Sequence, residues 1–195
     1  MWEQSKAARR RYSDGSFHST YFVGHGIDIG SGNDPLGHYA QMFPAIESVT
    51  PWDIENGDAQ LMMDIESESF DFVHSSHCLE HMRDPREALR NWLRIVKPGG
   101  HLIVTVPDED LYELGNWPSC FNPDHKWTFT IYKTTSWSPN SINMVDLIRE
   151  FGDQIAVERL TLLRDFFDLD VALQGVDQTM GPIAECSIEF VCCKR

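Results

Sequence analysis

GIDIGSGNDP, residues 26–35, is the stretch from which the rest of the chain is read. A short apolar run ends at Asp28-Ile29, and Gly30 and Gly32 let the backbone turn tightly against a ligand. A G-x-G suits any tight turn, so the loop alone says little. Here it follows a predicted strand, and Asp53 ends the next one (ESVTPWD, 47–53) about twenty positions on, where a ribose-binding carboxylate belongs. That leaves two ribose-containing cofactors, a dinucleotide or S-adenosylmethionine. Three features favour the second. The dinucleotide fingerprint G-x-G-x-x-G wants a glycine where this chain has Pro35. A pyrophosphate wants free N–H groups at a helix start, and NDPL (33–36) puts a carboxylate and a proline there. Asp28, acidic inside the first strand, suits a cationic ligand better than a phosphate.

Outward from the loop, SFDFVHSS (69–76) is an apolar run of the kind buried on both faces of a sheet. DPREALRNWLRIVKPGG (84–100) predicts a helix. Asp84 caps it, Pro85 sits in its first turn, Glu87 completes a capping box and Pro98-Gly99-Gly100 stops it. Leu89, Trp92, Leu93 and Val96 form its apolar stripe. HLIVTVP (101–107) follows as a strand, so the order is that of a parallel α/β sheet. Residues 108–136 are irregular and rich in Trp, Pro and Asn, a long insert of the sort that forms a lid. SPNSINMVDLIREFG (138–152) predicts a second helix, with Ser138 to Ser141 as its cap region. QIAVERLTLL and ECSIEFVCC close the chain as strands, the latter with Cys186, Ile188, Phe190 and Cys192 on one face.

The 195 residues suit one domain, 1–195, opened by an N-terminal amphipathic helix and turn over 1–23. Sixteen Lys and Arg against 30 Asp and Glu give a net charge of −14, which argues against nucleic acid or an anionic membrane as partner. Five cysteines without a CxxC pair read as reduced thiols, and no apolar run approaches the roughly 20 residues that span a bilayer. MWEQSKAARRRY lacks the apolar stretch of a secretory signal, so a cytoplasmic location is expected.

GIDIGSG, GDAQ, SFDFVHSSHCLEH and RIVKPGGHLIVTVP together resemble the class I S-adenosylmethionine-dependent methyltransferases, over roughly residues 24 to 107. The resemblance implies a Rossmann-like, mostly parallel seven-stranded sheet whose last strand, ECSIEFVCC, is antiparallel. It implies that Gly30, Ser31 and Gly32 back the methionine part and that Asp28 orients the loop or the amino group. Asp53 and Ile54 would meet the ribose end, Asp58 the adenine amino group, with Ala59 and Gln60 beside the ring. Ser75, Ser76 and His77 would lie near the methyl group. Two departures stand out: Asp34 replaces the family's third loop glycine, and IENGDAQLMMDIESES (54–69) is too short for the helix and strand that normally follow Asp53. A sheet trimmed at that edge is therefore expected.

Methyl transfer needs alignment above all, and oxygen or nitrogen acceptors often need a base, for which histidine is suited. His81 is expected to line the acceptor pocket, with Asp124 orienting His125 as a catalytic pair. Tyr112, Trp117, Phe121 and Trp127 offer an aromatic wall or core packing. If helical, His77, Glu80 and His81 share one face, and they echo a metal-binding arrangement of some methyltransferases. A divalent metal there, completed by His125, is the lesser alternative to no metal. The preferred acceptor is a small molecule such as a sugar or polysaccharide precursor. A protein or peptide acceptor, or a non-catalytic cofactor-binding module, is the runner-up.

Overall fold

The structure, a computed structural model, describes residues 3–195. Its helices are α1 (Glu3–Tyr12), α2 (Pro85–Ile95), α3 (Met144–Arg149) and α4 (Leu169–Ala172). The main sheet uses β1 (Gly24–Ile29), β2 (Ile46–Trp52), β3 (Phe70–Ser76), β4 (Val96–Pro107), β7 (Ile155–Leu163) and β8 (Ser187–Lys194). Their order is β2-β1-β3-β4-β8-β7, while β5 (Thr128–Thr130) and β6 (Ser141–Asn143) pair separately. β1, β2, β3 and β4 run parallel, and β8 lies antiparallel to both β4 and β7.

The main sheet thus has six strands rather than seven, because the sixteen residues after Asp53 form turns and no strand. β2 becomes the edge, and its Pro51 is tolerated there because an edge strand can lack one ladder donor. Helix α2 fastens the shortened connection. Trp92 Nε1 donates to Ala59 O at 2.7 Å, and Arg94 donates to Met62 O at 2.7 Å and Ile65 O at 2.8 Å. Backbone polar groups that a strand would have paired thereby find partners.

Three local expectations are corrected. Asp84 does cap α2, accepting from the Arg86 N–H at 2.8 Å, but Glu87 takes the Gln60 amide instead of closing a capping box. The Asp84 N–H goes to Gln60 Oε1 at 2.9 Å, so Gln60 serves as the reciprocal cap. The helix ends at Ile95, and Pro98-Gly99-Gly100 lie within β4 rather than forming the stop. The second helix begins at Met144 with Asn143 as its cap, because Ser141 pairs with Thr128 in β6.

One core lies under α2 and α3 and takes Leu89, Trp92 and Leu93 with Ile188, Phe190 and Cys192, whose shared face was expected. The other face carries Phe17, Phe22, Phe43 and Phe72 under α1 and the turns around it. Within this aromatic layer Arg11 is fully buried, its guanidinium 5.2 Å from the Phe17 ring centroid and 5.5 Å from that of Phe22. It donates to Glu189 Oε2 at 2.7 and 2.9 Å, to Thr105 Oγ1 at 3.2 Å and to His74 Nε2 at 2.9 Å. Burial alone would raise the Glu189 carboxyl, but Arg11 and Arg10 outweigh it and hold it at about 2, against an ordinary 4.5.

A depressed carboxyl contributes stability above its unfolded value and loses it as pH falls through the folded one. Urea titrations should therefore show stability dropping by about 3 kcal/mol between about pH 4.5 and 2. Glu189→Gln should flatten that limb and cost about 3–5 kcal/mol at neutral pH, because Arg11 is left buried and under-paired. Arg94→Ala should cost about 1–3 kcal/mol by freeing two loop carbonyls; an unchanged urea midpoint would count against the fastening described.

Candidate active site

The carboxyl ends of β1 and β3 open onto a cleft of about 820 Å³, its solvent mouth included. Its floor is the loop after β1. Gly30 and Gly32 have φ of +75° and +50°, and a Cβ on Gly30 would lie 2.6 Å from that of Cys78. The Gly30 and Ser31 N–H groups donate to Trp52 O at 2.8 and 3.2 Å, and the Gly32 N–H to Asp53 Oδ2 at 2.8 Å. The loop is thus tied to the end of β2. Asp28 is spent inside it: Oδ2 accepts from the Leu36 N–H at 2.7 Å and Oδ1 from His74 Nδ1 at 2.6 Å. Arg11 can only donate, so His74 Nε2 accepts and Nδ1 carries the proton. Of the roles expected for Asp28, orienting the loop is the one its hydrogen bonds support.

Helix α1 closes the cleft at one side, held by the Ser5 N–H on Asp34 Oδ2 at 3.1 Å and by Lys6 Nζ on Thr179 O at 2.7 Å. Gln4 lines the cleft with a buried side chain whose amide oxygen and nitrogen both lack a hydrogen-bond partner.

The residues expected on the adenosine side, Asp53, Ile54, Asp58, Ala59 and Gln60, do not line this cleft. Asp53 also caps the turn Ile54–Asn56, which leaves the Ile54 side chain 92% exposed beside it. Asp58 is exposed; the Arg83 guanidinium at 2.7 Å, with burial acting weakly against it, holds its carboxyl below the usual range. Its other oxygen accepts from the Gln60 and Leu61 N–H groups, so an adenine amino group would share an already occupied carboxylate. Ala59 and Gln60 are fixed to α2 by Trp92 and Asn91. Ser75 is buried and donates to Ile29 O at 3.0 Å, whereas Ser76 reaches the cleft.

Residues 77–81 are not α-helical. His77 sits in the left-handed region at φ +52°, and only Leu79–His81 make a single 3-10 turn. His77 nevertheless stays close to Glu80, Nδ1 to Oε1 being 3.6 Å. Glu80 is fully buried and neither carboxylate oxygen has a hydrogen-bond partner. Burial alone would raise it; the imidazoles of His77, His81 and His125 prevail and hold it below the usual carboxylate range.

The insert reaches this point through Lys126, whose N–H donates to Glu80 O at 2.9 Å, and Trp127, whose Nε1 donates to Met82 O at 2.9 Å. The expected Asp124–His125 pair is not formed. Asp124 turns outward to His81 Nδ1 at 2.8 Å, and Glu113 takes His125 Nδ1 at 2.7 Å instead. Asp124 lies in the turn closed by the His125 N–H on Asn122 O, and the two side chains leave it toward different partners. Glu113, twelve positions upstream in irregular chain, carried no local signal; nor did Gln4. The His81 and His125 rings stand 5.0 Å apart. Of the expected aromatic wall, Tyr112 lines the cleft against His125 and Phe121, while Trp127 packs on the main core.

A family model described as a methyltransferase domain matches residues 14–137. A curated relative, an uncharacterised 37.1 kDa protein in transposon Tn4556 of Streptomyces fradiae, is 33% identical over 64 residues. That match takes in 33% of this chain and 18% of the relative, so the chain spans less than a fifth of its length. Among solved structures, an S-adenosylmethionine-dependent methyltransferase of Archaeoglobus fulgidus is similar at a TM-score of 0.62 and 15% identity, over 100% of this chain and 95% of that one. The YcgJ protein of Bacillus subtilis gives 0.60 and 16% over 97% and 98%. A possible histamine N-methyltransferase of Thermotoga maritima gives 0.53 and 19% over the whole of both chains. These likenesses bear on the fold, which is the Rossmann-like fold of such enzymes. With the family model covering well over half of its length, the chain belongs to the class I S-adenosylmethionine-dependent methyltransferases.

Proposed function

We propose that the chain methylates an oxygen or nitrogen atom of a small polar acceptor, a sugar or polysaccharide-precursor hydroxyl being the preferred class. The carrying observation is the buried, unpartnered Glu80 carboxylate, set beside His81 and His125 in the same cleft as the glycine loop. Gly30, Ser31 and Gly32 hold the methionine part, with the unpartnered Gln4 amide as a further polar contact. Asp53 meets the ribose, and the exposed Ile54 gives the adenine an apolar face, with Asp58, Ala59 and Gln60 at its rim. Ser75, Ser76 and His77 back the methyl end. What supports the fit is a glycine turn without side chains at the cleft floor, the Gln4 amide without a hydrogen-bond partner in the cleft, and the exposed Ile54 beyond its rim.

S-adenosylmethionine supplies an electrophilic methyl on a positively charged sulfur. The chain's own part is alignment and control of the acceptor's proton. His81, oriented by Asp124, and His125, oriented by Glu113, bring the acceptor's O–H or N–H to the methyl and lower the cost of losing its proton. The 108–136 insert forms the acceptor's lid and excludes water. The −14 net charge agrees with a small acceptor rather than nucleic acid, and no helix among the described residues is long and apolar enough to cross a membrane. A cytoplasmic location fits the reduced cysteines, all five of which are free.

Calorimetry should show S-adenosylhomocysteine binding and no comparable binding of NAD. Asp53→Ala should weaken that binding about 10- to 100-fold, the worth of charge-assisted bonds to the ribose. With labelled methyl donor, label should enter a panel of small hydroxylated or amino acceptors; label in protein instead would favour a peptide acceptor, and binding without turnover a non-catalytic module. His81→Ala should lower kcat about 100-fold or more while S-adenosylhomocysteine affinity stays within about threefold; full activity in this variant would remove His81 from the chemistry.

A further inference from the structure

We propose that Glu80, His81 and His125 form a binding site for one divalent transition-metal ion of the zinc class. One ligand atom from each residue lies within 4.8 Å of the other two, and all three residues line the cleft. The trio differs from the sequence grouping: His125 takes the place of His77. Three independent features point to a cation. First, Glu80 is fully buried and neither oxygen accepts a hydrogen bond, the imidazoles of His77 and His125 standing off at 3.6 and 3.9 Å, so its lone pairs are free for a cation. Second, each histidine has its Nδ1 on a carboxylate, His125 on Glu113 at 2.7 Å and His81 on Asp124 at 2.8 Å. A carboxylate only accepts, so Nδ1 of each ring carries a proton, and Nε2 is the ring atom left to face a metal ion. This carboxylate–histidine pairing is what orients imidazole ligands around metals. Third, His125 Nε2 lies 3.9 Å from Glu80 Oε1, room for an ion bonded at about 2.0–2.2 Å to each.

The donor chemistry selects the ion. Two imidazoles and one carboxylate match the open catalytic sites of Zn²⁺ and related ions, whereas Mg²⁺ and Ca²⁺ want oxygen throughout. Three protein ligands leave a position open to the cleft, where the acceptor enters.

The role of the ion, though not its site, rests on the methyltransfer reading above. An acceptor hydroxyl bound at the open position releases its proton to solvent at lower cost. Its oxygen then forms the new C–O bond as the methyl–sulfur bond breaks, and that electron pair stays on sulfur as a neutral thioether.

The test uses tag-free protein, stripped with a chelator, dialysed, and titrated with Zn²⁺ by calorimetry and by competition with a chromogenic chelator. The expected result is one ion per chain with a dissociation constant below micromolar. Glu80→Gln and His125→Ala should each weaken it at least about 100-fold, and Asp124→Asn about 10-fold. Metal-free Glu80→Gln, nearly isosteric with the parent, should keep the parent's circular dichroism and a cooperative melt; that control separates lost binding from lost folding. Absence of saturable binding overturns the proposal, as does preference for Mg²⁺. So does an ion retained in Glu80→Gln, which would assign it to the other cluster, His101, Glu158 and Cys193. S-adenosylhomocysteine binding is read on the same samples. Cofactor bound without zinc overturns the metal site alone, and zinc bound without cofactor supports the site while overturning the methyltransfer reading.

Discussion

A hydrogen-bonded line of buried groups runs from Glu189 on β8 through Arg11 of α1 and His74 of β3 to Asp28 of β1, and ends on the Leu36 N–H. Every proton in it is determined by the one member that cannot accept. Arg11 donates, so Glu189 is ionised, His74 presents a bare Nε2, and its Nδ1–H falls to Asp28. Burying a guanidinium between Phe17 and Phe22 is tolerable only with this full set of partners. The line therefore welds the first helix, the sheet's centre and the floor of the cleft into one unit. α1 could not leave without stranding charges beside Glu189 and a histidine beside Asp28.

The cleft inherits an asymmetry from that arrangement. Around Gly30, Gln4 and Glu80 it is walled by α1, β3 and the insert, and polar groups without partners collect there. Asp53 and Ile54 lie beyond its rim, on the open side where β2 is the edge of the sheet. The part of the cleft around Glu80 is thus enclosed, while the edge beside it at Ile54 is exposed to water.

What the sequence revealed was what local pattern controls. The G-x-G loop, the buried run at 69–76 and the apolar stripe of α2 are periodic or motif-like and became the predicted elements, except that Val96 of the stripe falls past the helix end and opens β4. The missing strand was legible by length alone, since sixteen residues cannot hold a crossover helix and a strand. Partnerships across the fold were not legible. Glu87 satisfied a capping-box pattern, yet Gln60, distant in sequence, arrives to take both it and the Asp84 N–H. Asp124 stands next to His125 but serves His81, and Glu113 serves His125 from the end of a single helical turn, Glu109–Glu113, that no pattern in the sequence marked. Pro98-Gly99-Gly100 had every mark of a terminator, and parallel pairing with β3 nonetheless draws the chain into β4 from Val96 on.

The fastening of residues 59–65 by Trp92 and Arg94 also bears on how such a sheet can shrink over evolutionary time. A central parallel strand is bonded on both sides, so its deletion would open two ladders at once. An outermost strand leaves one ladder open, and its crossover helix takes with it the cover for that corner of the core. Here a neighbouring helix extends long side chains over the gap and satisfies the carbonyls of the abbreviated loop. Deletions in doubly wound enzymes are therefore most easily accepted at an edge whose adjoining helix already carries an arginine and a tryptophan that reach the shortened loop. Lineages lacking such residues would have to acquire them before, not after, the loss.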